Sequence, residues 1–538
     1  MPFDTTQTKW IALYLALIAI GCSPVWGVEY FVSHDGSTHL YNAYLMGRLV
    51  QGDPTVQQYL QFNTIAVPNS TGHWLLAGML QIVGPVVATK LISTLTFAGI
   101  VGSAGWLRWR TNGTNGVRAS LVFGAVLAFN WLWFLGFYNF TIGLIGFAFT
   151  VGLYYGWSGR MSAWRTIVLA ILVLLVYWSH IVSFAMLSGT LLLIAFLVET
   201  SDRKRTLLLT AAAVIPVIPL ILIFRSVNEI GVGFSPTWRF VNSFWSIRDW
   251  VVQLTAADPF VLISRRTLPF VSITSSWFFI VAPLFLTMLG CISLAIGSLR
   301  KGAKRFLSRP VVVFSIAFVG SMAVAALSPD HFGLENGSLL RERILLCGSF
   351  FFIPLFVWDK KALWTKFGVA AFAIVFLFQT AALWEYSLKT TATAKEFLSV
   401  KEDIPDGAAL VTVIVLRDRQ RFHSVPELQL ISYVGIDRDI RVWDNYEIAH
   451  YLFPVVTRDP ADRAFIFELT QSLTLDLNDP EAIIQDKLSR LQLCLYKYHK
   501  RIDIVVAWDS DPRVDGILNT WFEGPYFTHG RARLFRHR

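Results

Sequence analysis

The chain is short of charge. Only 15% of its 538 residues are Asp, Glu, Lys or Arg, against roughly a quarter in an ordinary soluble domain. With 54% hydrophobic residues and a mean hydropathy of +0.52, there is too little polar surface to clothe several soluble domains, so a soluble globular architecture is excluded. Cysteine is scarce too. Of four, Cys22, Cys291 and Cys347 fall in apolar segments and Cys494 stands by itself near the C-terminus, which implies neither a disulfide framework nor a zinc-spaced pair. There is no Gly-Lys-Ser/Thr phosphate loop, which argues against an ATP-driven pump, and no His-Glu-x-x-His pattern. Ionisable residues within apolar runs are few, mainly Lys90 near a helix start; ion-coupled transporters place such groups at the midplane.

What abounds is long apolar runs and aromatic residues, with 20 Trp and 42 Phe. A spanning helix needs about 20 apolar residues. Runs at 10–27, 86–107, 119–136, 139–157, 166–180, 182–198, 207–225, 271–298, 310–327, 340–358 and 367–386 qualify, so the expected fold is an α-helical polytopic membrane protein with about eleven spans. The run after Lys9 reads as a retained first span rather than a signal peptide, because the charged segment before it is minimal. The net charge of +10 does not point to nucleic acid. Its cations sit in short clusters: Arg108, Arg110 and Arg118; Arg160 and Arg165; Arg203, Lys204 and Arg205; Arg300, Lys301, Lys304 and Arg305; Lys360, Lys361 and Lys366. A cytoplasmic N-terminus and eleven spans put all five clusters in the cytoplasm, as the positive-inside rule requires.

That topology assigns residues 1–386 to a membrane domain whose first external loop is 28–85, and 387–538 to an extracytoplasmic α/β domain. The stretch 70–84 is then an interfacial or re-entrant helix, too short to cross and broken off by Gly84-Pro85. Loops 226–270 and 328–339 also lie outside. The last part alternates apolar runs, 409–416 and 501–508, with a helical stretch at 480–500, the pattern of strands with helices.

The first loop is the richest in chemistry. His34 and Asp35 stand a few residues after the first span, and His39, Ala43, Met46 and Val50 recur at near-helical spacing. An acid poised at a membrane surface suits a general base or a metal ligand; the plainer reading is an Asp-Gly turn that caps the helix. Before the tenth span, Arg341 and Arg343 flank Glu342 at the helix mouth. Paired guanidinium groups there suit a lipid-linked phosphate, and equally well ordinary headgroups or the carboxylates of Glu342 and Glu335. His180, in the tight turn between two spans, reads as a packed residue. Asp258, Arg239, Arg265 and Arg266 are candidates only through the length of their loop.

The order of parts resembles the GT-C superfamily of membrane glycosyltransferases, which includes protein mannosyltransferases and aminoarabinose transferases. An acid after the first span, interfacial helices before the second, many spans and a closing soluble domain match Asp35, the helix near 37–51, the helix 70–84 and residues 387–538. The resemblance implies a hexosyltransferase-type enzyme taking sugar from a polyprenyl-phosphate donor at the outer face of a cell (plasma or inner) membrane. It implies Asp35 as base or metal ligand, with Arg341 and Arg343 on the donor phosphate. Membrane lipid and that donor are the implied partners, and a divalent metal ion is a candidate cofactor without an identified ligand set. Many members carry a second acid in the next external loop; here that turn, Gly136-Phe137-Tyr138-Asn139, has none, and His34 or His39 is the available substitute. Catalysis is thus assigned to Asp35 with His34, and substrate binding to His39, Arg341 and Arg343. A lipid or solute transporter or flippase, and a non-catalytic membrane scaffold, are the alternatives.

Overall fold

The computed structural model describes residues 5–63, 67–157, 159–198, 202–232, 289–292, 309–328, 339–355, 362–417 and 424–538. Among these, five helices are long and apolar enough to cross a membrane: Pro85–Asn112, Tyr138–Trp157, Arg203–Ser226, Pro310–Leu327 and Leu363–Asp403. Four shorter apolar helices, Gln7–Gly21, Val117–Ala128, Ala163–Ser179 and Ile181–Leu197, pack beside them. Their outward faces carry large aliphatic side chains, such as Leu222 and Val319 at 60% and 64% exposure, which water would not tolerate in such density but lipid does. The chain is an integral membrane protein.

Two expected spans are interrupted. The run 119–136 forms Val117–Ala128 and then a separate helix, Trp131–Leu135, because Asn130 accepts a hydrogen bond from the Trp133 amide and restarts the helix. The run 340–358 is an α-helix only over Leu340–Ser349; it tightens into a 3-10 helix over Phe350–Leu355, with Pro354 inside. Most of 271–298, most of the 226–270 loop with Asp258, Arg239, Arg265 and Arg266, and the basic residues Arg300, Lys301, Lys304, Arg305, Lys360 and Lys361 lie outside the described residues.

The helix Leu363–Leu398 has 36 residues, about 54 Å at the α-helical rise. That exceeds the roughly 30 Å of bilayer hydrocarbon, so it continues past residue 386 and delivers the chain into a sheet. The strands are β1 (Leu60–Phe62), β2 (Ala409–Leu416), β3 (Arg441–Val442), β4 (Val455–Thr457), β5 (Thr474–Asp476), β6 (Ile504–Trp508), β7 (Phe522–His529) and β8 (Ala532–His537). β2 pairs in parallel with β3, β5 and β6, and β8 joins β6 and β7 antiparallel. All five residues of β6 and six of the eight in β2 are buried, as expected of strands covered on both faces.

The first loop touches the membrane bundle at its edges, but most of its apolar side chains pack with the sheet. Its side chains Leu40, Tyr41, Met46 and Leu60 share one hydrophobic core with Phe397, Leu410, Val434 and Trp508, while Phe97, Phe129 and Phe147 belong to the core of the bundle. A short antiparallel ladder makes the same link through the backbone: β1 pairs with β4, Gln61 opposite Val456. The Asn63 side chain donates to the carbonyls of Tyr451 and Phe453 at 2.9 Å each, and the Tyr41 hydroxyl donates to Ile440 O at 2.6 Å. The segment 446–453 is thereby tied down over the first loop.

Candidate active site

Asp35 precedes the helix Gly36–Val50. It holds the N-cap position, yet its side chain makes no capping bond, so the capping role of an Asp-Gly turn is not what this carboxyl does. Its backbone is docked instead. The Asp35 amide donates to Leu135 O at 2.8 Å, and the two chains touch at glycines. Gly136 has φ +88°, and a Cβ there would stand 2.7 Å from the Gly36 nitrogen. A side chain on either residue would push the loops apart.

This docking turns Asp35 into a cavity of about 800 Å³, within the usual range for a small-molecule site. His39, one helical turn on, lines the same cavity, and so do Asn139, His180, Arg343, Tyr446 and His450. The remaining wall is largely apolar: Ile181, Val182, Met186, Ile221, Phe224, Val324, Leu340 and Ile344 from the bundle, with Leu452 and Phe453 from the tied-down segment; a second cation, Arg225, also lines it. The Arg343 guanidinium lies over the rings of Phe137 and Phe140, at 5.2 and 5.9 Å from their centroids.

Burial raises the pKa of the Asp35 carboxyl above the ordinary carboxylate range; His34, His39 and a hydrogen bond from Tyr446 oppose that rise, while Glu447 adds to it. The Tyr446 hydroxyl is held protonated by burial and by the neighbouring carboxylates. Burial likewise lowers the pKa of His450 to about 4, which keeps it neutral.

Behind His39 lies a fully buried polar cluster. Glu447 contacts His39 Nδ1 through Oε1 and His73 Nε2 through Oε2, the latter at 2.9 Å. Asn139 Nδ2 stands 3.1 Å from His73 Nδ1. His39, His73 and Glu447 form a group, among the described residues, whose donor atoms lie within 4.8 Å of one another and could hold a metal ion. The hydrogen-bond directions do not fit that use. Asn139 Oδ1 accepts from the Gly72 amide and Nδ2 donates to Asn69 O, so nitrogen is the end that meets His73. An amide nitrogen can only donate. His73 Nδ1 therefore accepts, its hydrogen sits on Nε2, and Nε2 has no lone pair to offer a metal.

Of the residues expected from sequence, Asp35, His39 and Arg343 converge on the cavity. His34 stands beside Asp35, its Nε2 3.9 Å from the carboxylate, but Nδ1 accepts from the Val425 amide and the ring is not part of the cavity wall. Arg341 donates through Nε to Ser328 O at 3.0 Å and does not line the cavity. His180, which caps the helix Ile181–Leu197 through Nδ1, does reach it. Tyr446, Glu447, His450, His73 and Asn139 were not expected. The first three were visible in the sequence only as a polar, aromatic run, Trp443 to His450, between apolar stretches.

No protein-family model and no curated protein matches the sequence. Among solved structures, ArnT from Cupriavidus metallidurans in the apo state superposes with a TM-score of 0.52 at 11% identity, covering 98% of both chains. The chain shares the fold of that protein. The mycobacterial arabinofuranosyltransferase AftD aligns with 98% of this chain at 13% identity and a TM-score of 0.46; the match covers 41% of that larger protein. In this chain, the turn 136–139 supplies Phe137 and Asn139 to the cavity wall and no carboxylate. A second buried acid, Glu447, lies behind His39.

Proposed function

We propose that the chain is a membrane glycosyltransferase that moves a sugar from a polyprenyl-phosphate donor to an acceptor hydroxyl at the extracytoplasmic face. One observation carries this reading: a single cavity with a largely apolar wall holds the Asp35 carboxyl and the Arg343 guanidinium. A polyprenyl donor stays in the bilayer, so its phosphate must be met by a cation at the membrane edge and its chain by an apolar wall. Arg343 provides the first through charge-assisted hydrogen bonds. Ile181, Met186 and Ile344 provide part of the second.

Transfer forms a bond from the acceptor oxygen to the anomeric carbon and breaks the bond from that carbon to the phosphate oxygen, which leaves with the electron pair. Asp35 takes the acceptor proton. Its raised pKa makes it a stronger base than an exposed carboxylate while leaving it ionised above that pKa. Activity is accordingly lost as pH falls through the Asp35 pKa. His39 lies beside Asp35 on the donor side of this scheme. The two-domain division at residue 386, the cytoplasmic N-terminus and a cell-membrane location belong to the same reading.

The test is Asp35→Asn in purified protein reconstituted with a panel of polyprenyl-phosphate hexoses and pentoses. Transfer by wild type that drops roughly 10²-fold or more in the folded variant supports the assignment. Equal activity in both removes Asp35 from the mechanism, and silence of wild type across the panel sinks the donor class.

A further inference from the structure

We propose that His39, held by Glu447, is a second proton-transfer group of this cavity and gives its Nε2 proton to the donor phosphate as the sugar leaves. The argument begins with hydrogen-bond directions. Asn139 fixes the His73 hydrogen on Nε2, and that hydrogen goes to Glu447 Oε2. The Asn42 side-chain amide donates to the same oxygen, and Asn42 is itself locked by a reciprocal amide pair with Asn445, at 2.9 and 3.1 Å. Oε2 is thus occupied by two donors, which leaves Oε1 for His39 Nδ1. Because Nδ1 is turned to Glu447 while the ring lines the cavity, Nε2 is the nitrogen left to meet a ligand. A buried carboxylate that orients an imidazole and stabilises its charged form is the logic of a catalytic dyad.

The electrostatics agree. Burial disfavours charge at both partners, but their mutual attraction prevails: the Glu447 pKa is lowered and that of His39 is raised, with Asp35 adding to the latter. The groups around His39 are Glu447 and His73 behind it, Asp35 before it, the Tyr138 and Phe453 rings beside it, and Tyr446, His450, His180, Arg343 and Arg225 in the cavity wall. His39 and Glu447 are then a neutral pair.

The step balances. The acceptor proton passes to Asp35 as the new C–O bond forms, and the His39 Nε2 proton passes to the departing phosphate oxygen as the old one breaks. Asp35, one turn away on the same helix start, returns its proton to His39 and restores both groups. This role rests on the glycosyl-transfer reading, whereas the His39–Glu447 pairing can be read without turnover.

The experiment is carbethoxylation by diethyl pyrocarbonate, which attacks neutral imidazole. Modification of His39 is followed by mass spectrometry from pH 5.5 to 8.5 in the full-length protein, with N-acetylhistidine as reference in each sample. The wild-type half-maximal pH is expected above that of the reference. At pH 6, Glu447→Gln should react roughly tenfold faster at His39, because loss of the opposing charge lowers its pKa. In transfer assays the same variant should lose its activity at lower pH on the alkaline side, with at least a tenfold fall in kcat and little change in donor KM. A wild-type half-maximal pH at or below the reference overturns the pairing, and this holds even if Glu447→Gln does not fold. Reaction at His39 only after chelation, with stoichiometric zinc in the purified protein, overturns it in favour of a metal centre. A pairing that stands while wild type transfers no sugar would remove the phosphate role together with the transfer reading.

Discussion

Asp35 and Tyr446 come from opposite ends of the chain, and the hydroxyl of one tunes the carboxyl of the other. The hydrogen bond from Tyr446 lowers the Asp35 pKa against the larger upward push of burial. Removing it in Tyr446→Phe raises that pKa further. As Asp35 must be ionised to accept a proton, the acid limb of the kcat profile should move to higher pH, with several-fold loss below the limb and near wild-type rates well above it. An unmoved limb would take Tyr446 out of contact with the working carboxyl. At this scale the sequence showed Asp35, His39 and Arg343 but not which neighbour to discard. Helical geometry decides the arginines: residues two apart point to different sides, so when Arg343 faces the cavity, Arg341 turns to Ser328. The partners of His39 were beyond reach, because Glu447 lies some 400 residues away in sequence and nothing local marks the pairing.

The three-residue strand β1 shows why elements of the site were harder to read than spans. Long apolar helices such as Leu363–Leu398 announce themselves by composition. A strand of three residues with a single buried position has no period to detect, and its existence depends on β4. The same limit hid the break at Asn130, where one side-chain cap outweighs an otherwise continuous apolar run. The clamp can be loosened at Asn63, whose amide holds the carbonyls of Tyr451 and Phe453. Asn63→Ala should cost about 1–2 kcal/mol locally. Hydrogen exchange of amides in 446–453 should then speed up roughly tenfold, while amides of β6 keep their protection. Uniform acceleration across the sheet would instead mean that β1–β4 supports the whole layer rather than the cavity roof.

For the molecule as a whole, the two hydrophobic cores set what must be on the same side of the membrane. The first loop and the sheet share one core, so the cavity, Asp35 and the helix Glu481–Tyr498 face one compartment, whichever it is. The positive-inside count predicts the extracytoplasmic one. Sparse cysteine makes this testable: Cys22, Cys347 and Cys494 are buried and Cys291 is half-buried, so background labelling by a bulky maleimide is small. Ser489 is exposed on that helix and Lys204 is exposed at the basic start of the helix Arg203–Ser226. In intact expressing cells, a membrane-impermeant maleimide should label Ser489→Cys directly and Lys204→Cys only after permeabilisation. The reverse pattern would open the cavity to the cytoplasm, where soluble nucleotide-activated sugars are available. A soluble donor would then have access to the cavity, and the case for a membrane-confined one would rest on the apolar wall and Arg343 alone.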